Sequence, residues 1–279
     1  MYLDYWQLER KPFEASFDAD FLYRSEGRLS AMHKLRYAVE SGRAAALLAG
    51  PAGVGKTCLL ASLRRQLPEN CQAVAVVNYP LLTPGELLTS LAEQWGAAPA
   101  AAPRYTADEG LRRIESFQKE NSRQNRRALL IVDEAHLLED AQLLESLRLL
   151  MNLNQDGKPA ITLLLSGQMP LLPAIERFGA LDERIDVKAV LQPLDAEETA
   201  AYVSHRLAAA KANREIFTAD ALTTTYQLTG GVPRRINRLG DLALLVGFAD
   251  QRHAIDGELL HAVHEELIVA RQIPVDQSF

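Results

Sequence analysis

The sequence GPAGVGKT occupies residues 50–57 and follows an apolar run, AAALLA, at residues 44–49. The residues after it have helical periodicity, and we expect a helix from Lys56 to Leu67. The stretch matches G-x-x-x-x-G-K-[ST], a pattern in which glycine-rich backbone curls around an anion at the start of a helix. A strand, this loop and a helix in that order predict a P-loop that binds the phosphates of a nucleotide.

The side chains of this P-loop have separate expected roles. The ammonium group of Lys56 neutralises the β- and γ-phosphates, which also makes it part of the predicted catalytic set. The hydroxyl of Thr57 is an expected ligand of a Mg²⁺ ion. Backbone N–H groups of the loop and of the first helical turn bind phosphate oxygens. The predicted nucleotide-binding residues are Gly50, Pro51, Ala52, Gly53, Val54, Gly55, Lys56, Thr57 and Cys58.

A second apolar run ends in two adjacent carboxylates. Residues 129–134 read LLIVDE, a buried strand followed by Asp133 and Glu134. We expect Asp133 to hold Mg²⁺ through its water shell, so Thr57 and Asp133 form the predicted metal site and Asp133 joins the nucleotide-binding set. Glu134 can orient and deprotonate the water that attacks the γ-phosphate. These residues predict hydrolysis of a Mg²⁺-bound nucleotide.

Two other classes of nucleotide enzyme are disfavoured. Residues 133–136 spell DEAH, which could suggest a helicase, but helicases of that type need a second full α/β core that a chain of 279 residues cannot supply. We therefore interpret His136 as incidental. The guanine-reading motif N-K-x-D is absent from the sequence, which disfavours a GTPase. The predicted cofactors are ATP and Mg²⁺, and the predicted products are ADP and phosphate.

The order of elements predicts the fold class. From Arg43 onward strands alternate with helices, the pattern of an α/β fold with a parallel sheet covered on both faces. One strand-helix unit is inserted between the P-loop and Asp133. This insertion, the glutamate directly after the metal aspartate and a C-terminal helical lid are typical of a P-loop NTPase core of the AAA+ arrangement. The five predicted strands are residues 44–49, 73–78, 128–133, 160–165 and 185–190.

Three regions are predicted along the chain. Residues 1–42 form an N-terminal arm and a helix that pack on the core, and residues 43–192 form the AAA+ α/β nucleotide-binding domain. After residue 192 the pattern changes to helix upon helix, beginning with a capping box at Asp195 and Glu198. Residues 193–279 are therefore the predicted helical lid domain.

Composition and charge limit the partners and the location. The formal net charge of -6 at pH 7 gives no overall basic field that would attract nucleic acid or anionic lipid. Cys58 and Cys71 lack the spacing of metal or redox motifs, so we expect reduced thiols. The N-terminus has no basic start before an apolar run, and no stretch approaches roughly 18 uninterrupted apolar residues. We expect no transmembrane segment and a cytoplasmic location, with recruitment to the inner membrane by a partner as a further option.

Four further segments carry a family resemblance. In chain order they are YWQLERKPF at residues 5–13, FLY at 21–23, LPEN at 67–70 and GGVPRRIN at 230–237. Together with the P-loop, they make nearly the whole chain similar to the ExeA/GspA-type AAA+ ATPases associated with type II secretion. Relatives of that family include ATPases that regulate transposition, of the TnsC, TniB and MuB kind, and ATPases linked to exosortase systems. The resemblance leaves open whether the chain is a stand-alone relative or the ATPase domain of a longer protein.

The resemblance implies two further residues that act within the subunit. Gln168, at the end of the strand LLLSGQ, corresponds to sensor 1, whose polar side chain contacts the γ-phosphate or the attacking water. Arg234, in GGVPRRIN, resembles sensor 2, a lid arginine that reaches the nucleotide of its own subunit. Asn78, at the end of the second strand, is a candidate partner that restrains Glu134 until a ligand arrives, with a simple strand-end turn as the alternative.

The resemblance also implies a residue that acts between subunits. Arg184, in LDERI, matches the arginine finger that crosses to the γ-phosphate of the neighbouring subunit, and Arg177 is the reserve candidate. The predicted catalytic residues are thus Glu134, Lys56, Arg184, Gln168 and Arg234. A local ion pair remains the alternative for Arg184, because three acidic residues surround it: Asp182, Glu183 and Asp186.

The expected function is an oligomeric ATPase, in a hexamer-like ring or helix with sites between subunits, that couples nucleotide state to assembly or remodelling of a secretion- or envelope-associated partner complex. The alternative is an ATP-dependent DNA-binding regulator of transposition that forms rings or filaments on duplex DNA. A basic cluster supports this alternative, although glutamates interleaved with it are more typical of a solvated helix face. The cluster consists of Arg112, Arg113, Lys119, Arg123, Arg126 and Arg127.

Overall fold

The structure is a computed structural model. It describes residues 2–14, 19–71, 73–78, 82–97, 106–138, 141–155 and 157–272. Most of AAPAAAPRY at residues 97–105, for which the sequence predicts a flexible connection, lies outside the described residues. The same holds for most of the C-terminal RQIPVDQSF, which is predicted to be loosely held.

The chain divides into two compact units. The first, called the sheet unit here, consists of Glu26–Ala52 and Lys56–Leu191. The second, called the helical unit, consists of Met1–Ser25, Gly53–Gly55 and Gln192–Phe279. Three residues of the P-loop thus group with the helical unit, whereas the residues on either side of them group with the sheet.

The predicted fold class is confirmed. Within the described residues, five strands form one sheet in the order β2-β3-β6-β1-β7, and every neighbouring pair is parallel. The strand inserted in sequence, β2, lies at the edge of the sheet, and β6 lies between β1 and β3. The strands are β1 Ala45–Ala49, β2 Ala73–Val77, β3 Ala128–Val132, β6 Ile161–Gly167 and β7 Ile185–Val190, and a short antiparallel pair is formed by β4 Asn154–Gln155 and β5 Lys158–Pro159.

The central strands are buried along their whole length. Every residue of β1, β3 and β6 is buried, which is why these strands read as largely apolar runs and not as alternating ones. β6 extends beyond the predicted end at Leu165, because Ser166 and Gly167 continue the pairing with β1, opposite Leu48 and Ala49. This extension brings a buried serine to the carboxyl edge of the sheet.

Helices cover the sheet, and their ends follow local signals. Thr83 and Glu86 form a capping box at the start of α4. α3 begins at Lys56 as predicted but ends at Arg64, before the predicted Leu67, which precedes Pro68 and is therefore disfavoured in helical conformation. The helices of this unit are α2 Glu26–Glu40, α3 Lys56–Arg64, α4 Pro84–Gln94, α5 Ala107–Arg123, α6 Ala141–Leu150, α7 Leu171–Arg177 and α8 Gly179–Asp182, with a 3-10 turn at Ala135–Leu137.

The helical unit contains the predicted lid helices. Asp195 and Glu198 form the expected capping box at the start of α9. Thr218 caps the next helix through a hydrogen bond from the backbone N of Ala221. The helices are α1 Tyr2–Trp6, α9 Ala196–Ala209, α10 Ala219–Thr229, α11 Pro233–Ala249 and α12 Gly257–Gln272, with a 3-10 turn at Ala19–Phe21.

The N-terminal arm packs in the helical unit. Trp6 is fully buried and its indole N–H donates to the backbone O of Leu244 at 2.8 Å. The ring of Phe13 occupies the space where a side chain at Gly240 of α11 would lie. Arg206, itself buried, donates to the backbone O of Pro12. The arm therefore contacts helices that follow it by about two hundred residues in sequence.

This placement differs from the predicted division of the chain. The sequence expectation grouped the arm with α2 in one region, residues 1–42, that packs on the core. In the compact units, residues up to Ser25 group with the helical unit and α2 groups with the sheet. The difference arises because the large aromatic side chains of the arm are buried among α9, α11 and α12, which no local pattern in the arm indicates. The predicted limits at residues 43, 192 and 193 stay a prediction.

Candidate nucleotide-binding site

The carboxyl ends of three adjacent strands meet at one edge of the sheet. In the β1–β6 pair Ala49 lies opposite Gly167, and in the β3–β6 pair Val132 lies opposite Leu165. The P-loop begins directly after Ala49, and Asp133 directly follows Val132. The register of the sheet therefore brings the two sequence motifs together, although they are far apart in the chain.

Thr57 and Asp133, the predicted metal ligands, are in direct contact. The hydroxyl of Thr57 donates to Oδ2 of Asp133 at 2.8 Å. Mg²⁺ prefers oxygen ligands and usually binds through one or two protein groups together with substrate phosphates and waters. A hydroxyl and a carboxylate side by side at the end of a P-loop fit an ion of this kind.

Three hydrogen bonds hold Asp133 in place. Its Oδ1 accepts from the hydroxyl of Ser166 at 2.8 Å and from the backbone N of Glu134 at 3.0 Å. Its own backbone N donates to the O of Val77 on β2 at 2.8 Å. Asp133 is only 6% exposed, so the two donors to its Oδ1 compensate for the lost hydration of its carboxylate. One carboxylate oxygen is thereby fixed on the protein and the other is directed toward Thr57.

Lys56 is buried at the first residue of α3. Its ammonium group donates to the backbone O of Gly50 at 2.8 Å and of Pro51 at 3.0 Å. A buried ammonium group requires oxygen partners, and the carbonyls of the loop supply them. The positive charge therefore lies at the N-terminal end of a helix, where unpaired backbone N–H groups also favour an anion.

Glu134 lies in an unusual backbone conformation. Its φ is 52°, in the left-handed region that costs a non-glycine residue about 1–2 kcal/mol. The conformation ends β3 and starts the 3-10 turn Ala135–Leu137, in which the N of Leu137 donates to the O of Glu134 at 2.9 Å. The Glu134 side chain is 43% exposed, and its Oε2 lies 3.3 Å from Nδ1 of His136. A strained residue directly after Asp133, a predicted metal ligand, is the kind of outlier that clusters at functional sites.

Comparison with known proteins identifies relatives of this chain. A family model described as an AAA domain matches residues 39–175. The general secretion pathway protein A of Aeromonas hydrophila is 34% identical over 273 residues, which cover 95% of this chain and 48% of that protein. The fold is that of a P-loop NTPase of the AAA+ arrangement, and the chain is similar to the ExeA/GspA-type AAA+ ATPases over 95% of its length. It spans about half the length of this curated relative.

Solved structures share the fold of this AAA+ chain at low sequence identity. The ORC2 protein of Aeropyrum pernix has a TM-score of 0.69 and 18% identity, and the alignment covers 92% of this chain and 72% of that one. Cdc6p of Pyrobaculum aerophilum has a TM-score of 0.71 and 16% identity, and the alignment covers 94% of this chain and 74% of that one.

Among the described helices of this chain, none combines the length and apolar character needed to cross a bilayer.

The predicted sensor 1, Gln168, directly follows β6 at the same edge of the sheet as Asp133. Its backbone O accepts from the N of Leu171, which starts α7. The side chain is partly exposed. No hydrogen bond of the Gln168 amide occurs in the described part of the chain, and its role stays a prediction.

The predicted arginine finger, Arg184, lies between α8 and β7 and is partly exposed. Two of its acidic neighbours pair elsewhere: Asp182 with Lys188 at 2.5 Å, and Asp186 with Arg43 at 3.7 Å. Across the described ranges, no ion pair joins Arg184 to a carboxylate. The local ion pair considered from the sequence is therefore not formed.

The charge of Arg184 acts on the carboxyl group of Glu145 on α6. Hydrogen bonds from Arg148 hold the pKa of Glu145 below its usual range, and the charge of Arg184 adds to this effect. Arg177, the reserve candidate, is exposed, and its Nε donates to the backbone O of Pro173 one turn earlier at 3.2 Å.

The predicted sensor 2, Arg234, lies in the helical unit at the start of α11. Its backbone N donates to the O of Gly53 at 3.2 Å. A Cβ added at Gly53, where φ is 81°, would lie 2.9 Å from Cβ of Arg234 and 3.1 Å from Cγ1 of Val232. Gly53 is thus required both for its backbone conformation and for its close approach to this segment. The side chain of Arg234 is exposed.

Asn78, the candidate partner of Glu134, is exposed after the end of β2. No hydrogen bond between Asn78 and Glu134 is present in the part of the chain that is described. The group that does lie beside the Glu134 carboxylate is His136, which we interpreted as incidental from the sequence.

The basic cluster that supported the DNA-binding alternative is largely engaged within the chain. Arg112 pairs with Asp108, Arg113 with Glu93 at 3.9 Å, and Arg123 with Glu120 at 3.1 Å. Arg127 donates to the backbone O of Glu40 at 3.0 Å. These pairs match the solvated, charge-balanced helix face considered from the sequence.

Ser166 is a site residue that the sequence analysis did not identify. It is fully buried, and its hydroxyl orients the Asp133 carboxylate. The available signal was a serine inside the apolar run LLLSGQ, since a buried hydroxyl requires a hydrogen-bond partner. Its partner became evident only from the order of the strands, which places β6 beside β3.

We predict that Ser166→Ala weakens Mg²⁺ binding. Loss of the hydroxyl leaves Oδ1 of Asp133 without one of its donors, and the carboxylate becomes less well oriented toward the ion. Groups that orient a metal ligand typically contribute about 10- to 100-fold in affinity. A titration of Mg²⁺ against protein saturated with a slowly hydrolysed ATP analogue measures the change.

Ser146→Ala on α6 serves as the matched control, because the Ser146 hydroxyl donates only to the backbone O of Gln142 at 2.8 Å on its own helix. We expect its Mg²⁺ affinity to stay at the wild-type value. Equal affinities for Ser166→Ala and Ser146→Ala would contradict the orienting role of Ser166.

Proposed function

We propose that this AAA+ chain binds Mg·ATP at the edge formed by β1, β6 and β3 and hydrolyses it to ADP and phosphate. The observation that carries the proposal is the 2.8 Å hydrogen bond between Thr57 and Asp133. It joins the hydroxyl of the P-loop to the carboxylate of the second motif, which is the pair that P-loop ATPases use for Mg²⁺. If Asp133 were only a solvated acid at the end of β3, nothing would require it to contact the Thr57 hydroxyl.

In the proposed mechanism each residue has one task. Backbone N–H groups of the loop bind the phosphate oxygens, and Lys56 exchanges its carbonyl partners for the β- and γ-phosphates. Thr57 and Asp133 hold the ion, which when bound neutralises charge that develops on the phosphates. Glu134 holds the attacking water and accepts its proton. Gln168 binds the γ-phosphate or that water.

We further propose that the active form is a homo-oligomer in which Arg184 acts on the neighbouring subunit. An arginine that stabilises the charge of the transferring phosphate must be free of a competing carboxylate. Two of the three acids nearest in sequence to Arg184, Asp182 and Asp186, are paired with Lys188 and Arg43, which is consistent with that requirement. Arg234, near the P-loop residue Gly53, is the proposed arginine that acts within its own subunit.

The proposed process is assembly or remodelling of a partner complex linked to secretion or to the cell envelope. The relative from Aeromonas hydrophila is named a general secretion pathway protein, and this chain aligns with it over 95% of its own length. The proposed location is the cytoplasm, with recruitment to the inner membrane by that partner. A DNA-binding role is not proposed, because most of the basic cluster has partners within the chain.

The variant Glu134→Gln tests hydrolysis. An amide cannot accept the proton of the attacking water, so we expect turnover to fall about 10²- to 10⁴-fold, whereas binding of Mg·ATP is retained. The matched control is Glu176→Gln on α7, whose exposed carboxylate lies away from the P-loop in sequence. Steady-state phosphate release and equilibrium nucleotide binding provide the two readouts. Turnover of Glu134→Gln at the wild-type rate would remove Glu134 from the mechanism.

Mixing two inactive variants tests catalysis between subunits. Arg184→Ala keeps the P-loop and Lys56→Ala keeps the arginine, so a mixed interface can contain one intact copy of each. For random head-to-tail assembly of equal amounts, about one quarter of the interfaces are competent. We therefore expect phosphate release from the mixture to exceed that of either variant alone, at concentrations where the proteins assemble.

A parallel mixture of Arg177→Ala with Lys56→Ala distinguishes the reserve candidate. If Arg184 is the residue that acts between subunits, Arg177→Ala is active by itself. An absence of rescue in assembled mixtures that contain Arg184→Ala would exclude Arg184 from this role.

A further inference from the structure

The histidine at the end of the DEAH sequence lies against the proposed catalytic base. Nδ1 of His136 is 3.3 Å from Oε2 of Glu134. The imidazole is 13% exposed, whereas the Glu134 side chain is 43% exposed. The pair therefore consists of a nearly buried ring and a carboxylate that has room to rotate.

The backbone explains why the two side chains meet. A left-handed φ of 52° at Glu134 reverses the chain at the end of β3, and a 3-10 turn over Ala135–Leu137 follows immediately. These two features bring the side chain at position 136 back toward position 134. The turn is supported by β6, because a Cβ added at Gly167 would lie 2.9 Å from the backbone N of His136.

The ring nitrogen that faces Glu134 has an unmet requirement. Nδ1 of His136 is buried, and within the described residues no aligned hydrogen bond reaches it. A buried ring N–H normally has an acceptor, and Oε2 of Glu134 is already at 3.3 Å. A small rotation of the exposed carboxylate is sufficient to align the bond.

We infer that His136 is a positioning residue for Glu134: its Nδ1–H donates to Oε2 and leaves Oε1 for the attacking water. This inference rests on the proposed ATPase function. His136 lies beside the Glu134 carboxylate, where Asn78 had been the sequence candidate, but its inferred role is to position the base and not to restrain it. Because the water must be held in line with the γ-phosphate, fixing one oxygen of the base fixes the position from which the water attacks.

Two substitutions of similar size test this role. His136→Asn keeps a donor close to the position of Nδ1, and His136→Leu fills the same space without a donor. We expect His136→Leu to lower kcat about 10- to 100-fold with little change in the KM for ATP, and His136→Asn to restore most of the rate. Thermal unfolding and binding of Mg·ATP, measured on both variants, should match the wild-type protein.

The double variant with Glu134→Gln separates this inference from the proposed function. If His136 acts through the Glu134 carboxylate, adding His136→Leu to Glu134→Gln should lower the single-turnover rate little further. Absence of ATP turnover by the wild-type protein would overturn the proposed function, whereas wild-type turnover in Glu134→Gln would remove Glu134 from the mechanism and overturn the inference with it. If Glu134→Gln loses turnover, two results for His136 would overturn the inference and leave the proposed function intact. One is a wild-type kcat in His136→Leu, and the other is an equal rate in His136→Leu and His136→Asn.

Discussion

The hydrogen bond between Thr57 and Asp133 is the contact on which the rest of the site depends. It exists because β6 lies between the strand that leads into the P-loop and the strand that ends at Asp133, with all three in parallel register. Parallel strands end at the same edge, so their loops converge there, and ligands of open α/β sheets bind at that edge. A shift of one residue in either pairing would separate the hydroxyl from the carboxylate.

Burial of charge at this edge makes the arrangement specific. Lys56 and Asp133 are each 6% exposed, and each is surrounded by backbone or hydroxyl groups of the opposite polarity. These groups compensate for lost hydration and also fix the side chains before any ligand arrives. Glu134 differs, since its carboxylate is partly exposed and its backbone is strained. The groups proposed to bind phosphate and Mg²⁺, Lys56 and Asp133, are therefore fixed, whereas the proposed base retains freedom to move.

The features that local patterns determine could be predicted from the sequence. The P-loop, the five strands and the capping box at Asp195 depend on residues close together in the chain, and each was found. The role of Ser166 depends on which strands are neighbours, and the role of His136 depends on the backbone conformation of Glu134. Neither feature can be predicted from composition or periodicity, so both residues were missed. The arm was grouped with α2, because the burial of Trp6 against α11 is a contact distant in sequence. Recognition of the ExeA/GspA-type family was confirmed, whereas the roles of Gln168, Arg184 and Arg234 stay predictions.

Calorimetric titration of the purified, folded protein with a slowly hydrolysed ATP analogue, with and without Mg²⁺, tests the central claim most directly. If the edge formed by β1, β6 and β3 is a Mg·ATP site, binding saturates at one nucleotide per chain, weakens when Mg²⁺ is chelated and is lost in Lys56→Ala. Absence of saturable binding by the folded wild-type chain would contradict the account, because the contact between Thr57 and Asp133 would then not be part of a nucleotide-binding site.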